Sequence, residues 1–265
     1  MTQHSLDDWD GDDDSGSESA ECLSFELRGQ WGHFRRVEGN IVKQTYRIPP
    51  RTTIAGIIAA ILGLDRDSYY DAFAPKCSGI AVEPIEELRT MNLPQNTLST
   101  AKEDMKTVPT RGHARISMPD STELRQQHNY EVLVDPAYRI DLQLDDTELF
   151  EELRNRLEEG TSHYPPSLGL SEHLAEVEYL GAFDVESGEV ADADVDSVVI
   201  EAVDDVELAP GNPVRVERSP GFMAADDGGR TTTKFLSVAY SPDAEPVRVH
   251  NVETSRVDGR RVMFS

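Results

Sequence analysis

Leu23, Phe25 and Leu27 alternate with Ser24, Glu26 and Arg28. That period of two predicts a strand over Cys22–Arg28 with one buried face. It ends at Gly29, with Gly32 close behind, and such a Gly-flanked turn lets the backbone approach another group closely. Pro49-Pro50 then halts one segment and opens a helix, with Thr52 or Thr53 as N-cap. Ile54, Ile57, Ile58, Ile61 and Leu62 follow helical spacing, and Gly63 suits the position just past the end. Ala55, Gly56, Ala59 and Ala60 keep the remaining face small, which predicts close packing on two sides.

A second short helix is expected over Arg66–Phe73 and a short strand over Ile80–Glu83. Residues 91–120 have little apolar periodicity but contain Pro94, Pro109, Gly112, Pro119 and many Thr. They read as a long excursion or hairpin; long loops without a core of their own are often functional. Tyr130–Val134 and Ala137–Leu144 read as strands flanking Asp135-Pro136. Asp145 or Asp146 caps a helix over Thr147–Glu159, with Leu149, Phe150, Leu153 and Leu157 inward and Gly160 stopping it. A Pro/Gly loop over Thr161–Leu170 leads into a short helix start at Ser171-Glu172-His173. Strands are expected at 177–185, 196–203, 213–218, 233–240, 246–252 and 260–264, with a turn at Asp226-Asp227-Gly228-Gly229. The order suits an α+β fold, with helices on one face of an antiparallel sheet; a ferredoxin-like split βαβ core is the preferred form.

The chain has 265 residues, enough for one large domain or two small ones, and 38% hydrophobic residues, enough for a core. The longest apolar run, Ile54–Leu64, falls short of the roughly 18 residues that span a bilayer. The N-terminus is acidic, the wrong charge for a secretory leader. Cys22 and Cys77 form neither a disulfide framework nor a metal knuckle. A soluble cytoplasmic protein is the expectation, with no membrane partner.

Charge changes the picture. The net charge is −25, and the bases are 20 Arg against 5 Lys. Acidic excess with Arg preferred suggests a halophilic protein: at ~1 M salt the Debye length is about 3 Å, so carboxylate repulsion is largely screened. The charge is also segregated. Residues 1–21 hold 8 acids and no base, and read as a disordered acidic tail. Residues 141–229 hold 24 acids and 4 bases, whereas residues 22–51 hold 6 bases and 2 acids. Those six are Arg28, Arg35, Arg36, Lys43, Arg47 and Arg51. A basic stretch in so acidic a chain points to an anionic partner, or else to Arg stems packed on the surface.

The chain has no P-loop, GxGxxG, GxSxG, HExxH or CxxC motif. Its histidines are dispersed, and neither a metal site nor a cofactor is implied. The suggestive cluster is Arg28-Gly29-Gln30-Trp31-Gly32-His33-Phe34-Arg35-Arg36. It combines phosphate donors, two glycines and aromatic faces for base stacking. His33 could instead be a general acid or base for RNA cleavage, or a hydrogen-bonded residue at a turn.

The segment FELRGQWGHFRRVEGNIVKQTYRIPPRTTIAGIIAAILGLDRDSYYDAF (Phe25–Phe73) resembles the N-terminal signature of the CRISPR-associated "Cas-five" proteins, RAMP-type subunits of the Cascade interference complex. The resemblance centres on Gly29–Arg35 and continues through Pro49-Pro50-Arg51-Thr52-Thr53 and the Gly56–Gly63 helix. YPPSLGLSEHLA (Tyr164–Ala175) resembles the family's second recurring stretch. Trp31 stands where a smaller residue is expected. The subtype resembles type I-B.

The resemblance implies an RRM-like, ferredoxin-like domain over 22–180, with a thumb hairpin at about 91–125, and a smaller β-rich C-terminal part over 181–265. It implies antiviral defence, and binding of the 5′ handle of the CRISPR RNA (crRNA) beside the "Cas-seven" backbone subunit and the large subunit, with target DNA engaged indirectly. Arg28, Arg35, Arg36, Lys43, Arg47 and Arg51 would hold phosphates. Trp31, His33 and Phe34 would stack on or orient nucleotides, unless Phe34 is simply core. Lys106, Arg111, His113 and Arg115 would act from the thumb. The family's hydrolytic type I-C branch uses a Tyr, Lys and His set; Tyr46, Lys43 and His33 are near one another in sequence, which is not geometry. The expected protein is therefore a non-catalytic scaffold, with a metal-independent endoribonuclease as the alternative.

Overall fold

The structure, a computed structural model, describes residues 20–36, 42–98, 106–110, 113–117, 125–208, 210–211, 213–226 and 229–265. Strand β1 (Ala20–Arg28) is followed by four two-residue strands: β2 (Trp31–Gly32), β3 (Phe34–Arg35), β4 (Val42–Lys43) and β5 (Thr45–Tyr46). Next come α1 (Arg51–Leu62), β6 (Ser78–Pro84), β7 (Arg89–Leu98), β8 (Lys106–Thr110), β9 (His113–Ser117), β10 (Arg125–Val134), β11 (Ala137–Leu144) and α2 (Thr147–Glu158). The chain ends with β12 (Glu176–Val195), β13 (Val199–Ile200), β14 (Arg215–Asp226), β15 (Gly229–Tyr240), β16 (Val247–Val257) and β17 (Arg260–Val262). It is a mixed α+β, strand-rich protein.

The main sheet has six antiparallel strands in the order β17-β16-β12-β1-β11-β6. Its middle is built from β1, α1, β6, β11, α2 and β12 in chain order. Leu23, Phe25 and Leu27 of β1 point to one face, as their alternation predicts, and share a core with Ile140 and Leu142 of β11 and Ile80 of β6. Ile54, Ile58 and Ile61 of α1 and Phe150, Leu153 and Leu157 of α2 cover that face. Each such side chain contributes about 1.5–3 kcal/mol when fully buried. Val198, Phe222, Leu236, Val238 and Tyr240 enter the same core from the C-terminal third.

The opposite face is also covered. The first half of β12 pairs with β1 and the second half with β16. This long strand carries the β16–β17 hairpin back over the sheet, where Val257 and Val262 pack on Cys22 and Ala81. Arg260 of β17 bonds both oxygens of the buried Asp141 at 2.8 and 3.0 Å and also pairs with Glu83. Ser24 donates to the same Asp141 carboxylate.

Helix α1 begins at Arg51, with Pro50 at the N-cap and no side-chain cap. Thr52 and Thr53 therefore lie inside the first turn, because Pro50 already supplies the extended residue before it. Gly63 closes the helix in the left-handed conformation, φ 78°. Asp146 caps α2, accepting from the N–H of Glu148 and of Leu149 at 3.1 Å. Residues 66–77 form successive turns instead of the expected helix, and 171–173 is a turn inside a loop closed by a Ser167–Leu174 bridge. The acidic stretch 1–19 lies outside the described residues, while Ala20 and Glu21 already belong to β1. The excursion between β6 and β11 is a hairpin: β7 pairs with β10 along ten residues, and β8 pairs with β9.

Candidate nucleic-acid interface

Residues 29–36 and 42–46 lie along the β10 strand of the β7–β10 hairpin. Trp31 and Gly32 pair antiparallel with Val134 and Leu133, while Val42 and Lys43 run parallel to Asn129 and Tyr130. Phe34 and Arg35 pair with Tyr46 and Thr45. The buried Thr45 hydroxyl fixes this turn, accepting from the Phe34 N–H and donating to the Tyr46 carbonyl, each at 2.8 Å.

The glycines serve packing within the chain. A Cβ on Gly29 would sit 2.7 Å from Leu168 Cδ1 and 3.0 Å from the Leu174 carbonyl. Gly169 lies against the His33 carbonyl from the other side. The Gly29–Arg35 and Tyr164–Ala175 stretches, far apart in sequence, are therefore packed backbone to backbone.

The six cations of 22–51 divide sharply. Arg51 is 5% exposed and donates to the carbonyls of Phe73 (2.6 Å) and Ser78 (3.0 Å), to the Ser78 hydroxyl (2.6 Å) and to Ser265. Its guanidinium also lies 4.4 Å from the Phe222 ring, and burial lowers its pKa to about 10. Expected to hold phosphate, Arg51 instead ties α1 to the C-terminal strands. Arg47 is half-buried and committed to Glu131 at 2.7 Å. Burial alone would raise the Glu131 pKa, but the Arg47 hydrogen bond and charge bring it below the usual carboxylate value. Arg28 pairs with Glu26 at 2.8 Å. Arg36 lies over the Tyr46 ring at 5.2 Å and reaches Glu217 at 3.8 Å, remaining partly exposed. Arg35 is exposed and Lys43 half-exposed, and neither has an ion-pair partner among the described residues.

The aromatic positions also separate. Phe34 is 2% exposed and packs near Tyr138, 6.2 Å between ring centres, so it is core and presents no stacking face. His33 is 1% exposed; its Nδ1–H donates to the Glu131 carbonyl at 2.8 Å, which leaves Nε2 as the unprotonated nitrogen, buried and without a partner among the described residues. Burial lowers its pKa, against the opposing effect of the Glu131 carbonyl. The His33 ring is closed off from solvent, so stacking from it gives way to a role inside the turn. Trp31 is half-buried at the hairpin base. Lys106, His113 and Arg115 lie on β8 and β9; Arg111 lies outside the described residues. Tyr46 is 4% exposed, so the Tyr46, Lys43 and His33 set is not presented together at the surface.

Glu131 and Glu217 escaped the sequence reading. They are unremarkable among 50 acids, and only the fold places them against Arg47 and Arg36. Among the described residues no group of three or more His, Cys, Asp and Glu is placed to hold a metal ion. No described helix is long and apolar enough to cross a membrane.

The arrangement is a mixed α+β chain whose amino-terminal stretch carries a few uncommitted cations beside a long hairpin. The chain belongs to the CRISPR-associated protein (Cas_Cas5) family, whose model matches residues 22–209. The fold is similar to a chain of a solved CRISPR RNA-guided surveillance complex, with TM-score 0.53, 13% identity, and coverage of 86% of this chain and 91% of that one. It is also similar to a CRISPR protein from Archaeoglobus fulgidus, with TM-score 0.52, 12% identity, and coverage of 91% and 98%. No curated protein matches it by sequence.

Proposed function

We propose that this chain is a non-catalytic RNA-binding subunit of a type I CRISPR interference (Cascade) complex, acting in antiviral defence. It holds the 5′ handle of the crRNA and joins the backbone and large subunits, with target DNA engaged through them. The observation that carries this reading is Arg35, exposed and without an acidic partner among the described residues, in a chain of net charge −25. Arg36 and Lys43 flank it, on a turn clamped to the β7–β10 hairpin. Family membership supports the assignment, and a surveillance-complex chain shares the fold.

The order β12-β1-β11-β6, with α1 and α2 on one face, supports a ferredoxin-like, RRM-like core. In this reading β7–β10 is the thumb, Lys106, Arg111, His113 and Arg115 act from it, and the strands beyond 181 form the β-rich C-terminal part. The burial of His33 supports a binding role over the nuclease alternative. The acidic surface and the Arg preference support salt adaptation and a cytoplasmic setting; type I-B is the subtype proposed.

The test is a tagged pull-down from the native host in molar KCl with sequencing of co-purifying RNA. Short RNAs sharing one repeat-derived 5′ end are expected. Arg35→Ala with Arg36→Ala lowers that RNA without unfolding the protein. Full RNA retention in the double variant, or no RNA with the folded wild type, overturns the reading. Cleavage of repeat RNA in EDTA, lost on His33→Asn in a folded chain, would assign the nuclease instead.

A further inference from the structure

We propose that Arg215 and Arg218 on β14 form a second set of RNA-phosphate contacts, continuing the cationic track of Arg35, Arg36 and Lys43 onto the C-terminal sheet. This rests on the RNA-binding reading above. Residues 141–229 hold 24 acids and only four bases: Arg154, Arg156, Arg215 and Arg218. The two on α2 are neutralised within the chain, Arg154 by Glu21 and Glu151, and Arg156 by Glu152 at 2.7 Å. The two on β14 are exposed and have no acidic partner among the described residues. Surface arginines that avoid pairing in the most acidic part of the chain are not there to neutralise it.

Their place in the fold gives them an address. β14 is one of the two edge strands of the order β13-β15-β14. Glu217 points inward from it, holding the Arg47 N–H at 2.9 Å and facing Arg36 at 3.8 Å. Those contacts fix β14 alongside the proposed interface. Arg215 is two residues from Glu217 on the same side of the strand, about 7 Å along it, and is exposed opposite Tyr240. Arg218 is on the other face of the same edge. Its guanidinium lies 5.1 Å from the Phe235 ring centre, which holds the planar fork and leaves N–H groups for a bidentate phosphate contact. Arginines on both faces of one edge strand suit a strand of alternating phosphates passing along it. The adjoining cations of the interface favour RNA over an acidic protein as the occupant.

The test uses the assembled complex and, as probe, a synthetic single-stranded RNA of the sequence recovered from the wild-type pull-down, titrated across a range of KCl. Arg215→Ala with Arg218→Ala lowers affinity roughly 10-fold or more. It reduces the slope of log K against log salt by about 1.4, at roughly 0.7 per lost single-strand phosphate contact. The melting temperature stays at the wild-type value, and Arg215→Lys with Arg218→Lys keeps the slope. If affinity and slope are unchanged while Arg35→Ala lowers both, this inference fails and the RNA-binding reading stands. If the wild type binds no RNA, the reading itself fails. Normal RNA binding with weakened subunit assembly would assign the pair to a protein partner and overturn the proposal.

Discussion

The main-chain N–H of His33 donates to the carbonyl of Leu168 at 2.9 Å, and on the return path the His33 carbonyl lies against Gly169. The Gly29–Arg35 stretch and the 164–175 loop are thereby one structural unit. Arg35, an exposed cation, lies on β3 two residues after His33, so its backbone position is anchored by that unit.

Gly169 should not tolerate a side chain. Its φ is +95°, and a Cβ there would fall 2.0 Å from the His33 carbonyl oxygen. Gly169→Ala is expected to cost about 3 kcal/mol or more, lowering the melting temperature by roughly 5–10 °C. Gly160 also has positive φ, +63°, but among the described residues nothing lies within 4 Å of its Cβ position. Gly160→Ala should cost only about 1–2 kcal/mol, and equal shifts in thermal melts of the two variants would count against the packing argument.

Stability should fall with acid from pH 6.5 downward. Burial lowers the His33 and His173 pKa values from 6.5, so below that pH the unfolded chain binds more protons than the folded one. The stabilisation is complete above pH 6.5 and is lost as pH falls toward the folded values. Asn places a donor where Nδ1 now reaches the Glu131 carbonyl. Denaturation curves at pH 7 and pH 5 should therefore differ less for His33→Asn than for wild type; an equal difference sinks the assignment.

Removing Arg260 should be costly and partly reversible. Asp141 is 1% exposed, and Arg260 is its bidentate partner. Arg260→Met leaves a buried carboxylate with much less compensation, at about 3–5 kcal/mol. Adding Asp141→Asn should recover a substantial part, and a urea-denaturation cycle reads the coupling. Strictly additive losses would show that the two side chains do not depend on each other.

Arg51 and Arg35 should separate stability from binding. Arg51→Met strips donors from the Phe73 and Ser78 carbonyls and should destabilise by about 3 kcal/mol. Where the chain remains folded, its RNA salt slope should match wild type. Arg35→Ala should do the reverse, leaving the melting temperature in place and reducing the slope by about 0.7. A reduced slope in folded Arg51→Met would restore it to the binding surface.

What could be read along the chain was what neighbours in sequence control. The alternation of Leu23, Phe25 and Leu27, the isoleucine spacing of α1, the Asp146 cap and the Gly63 stop each act within a turn or a strand, and each recurs in the fold. The basic stretch was equally visible, because composition is local. The use of each cation was not. Arg47 meets Glu131, Arg36 meets Glu217 and Arg51 meets Ser78 and Ser265 only after distant strands are brought together. The same applies to Gly29, whose close neighbour is the Leu168 loop, and to Glu217, whose contacts with Arg36 and the Arg47 N–H depend on β14 docking. A charge is encoded in one residue, but whether it is buried, paired or free depends on the dielectric and the partners around it, and those are set by contacts between segments far apart in the chain.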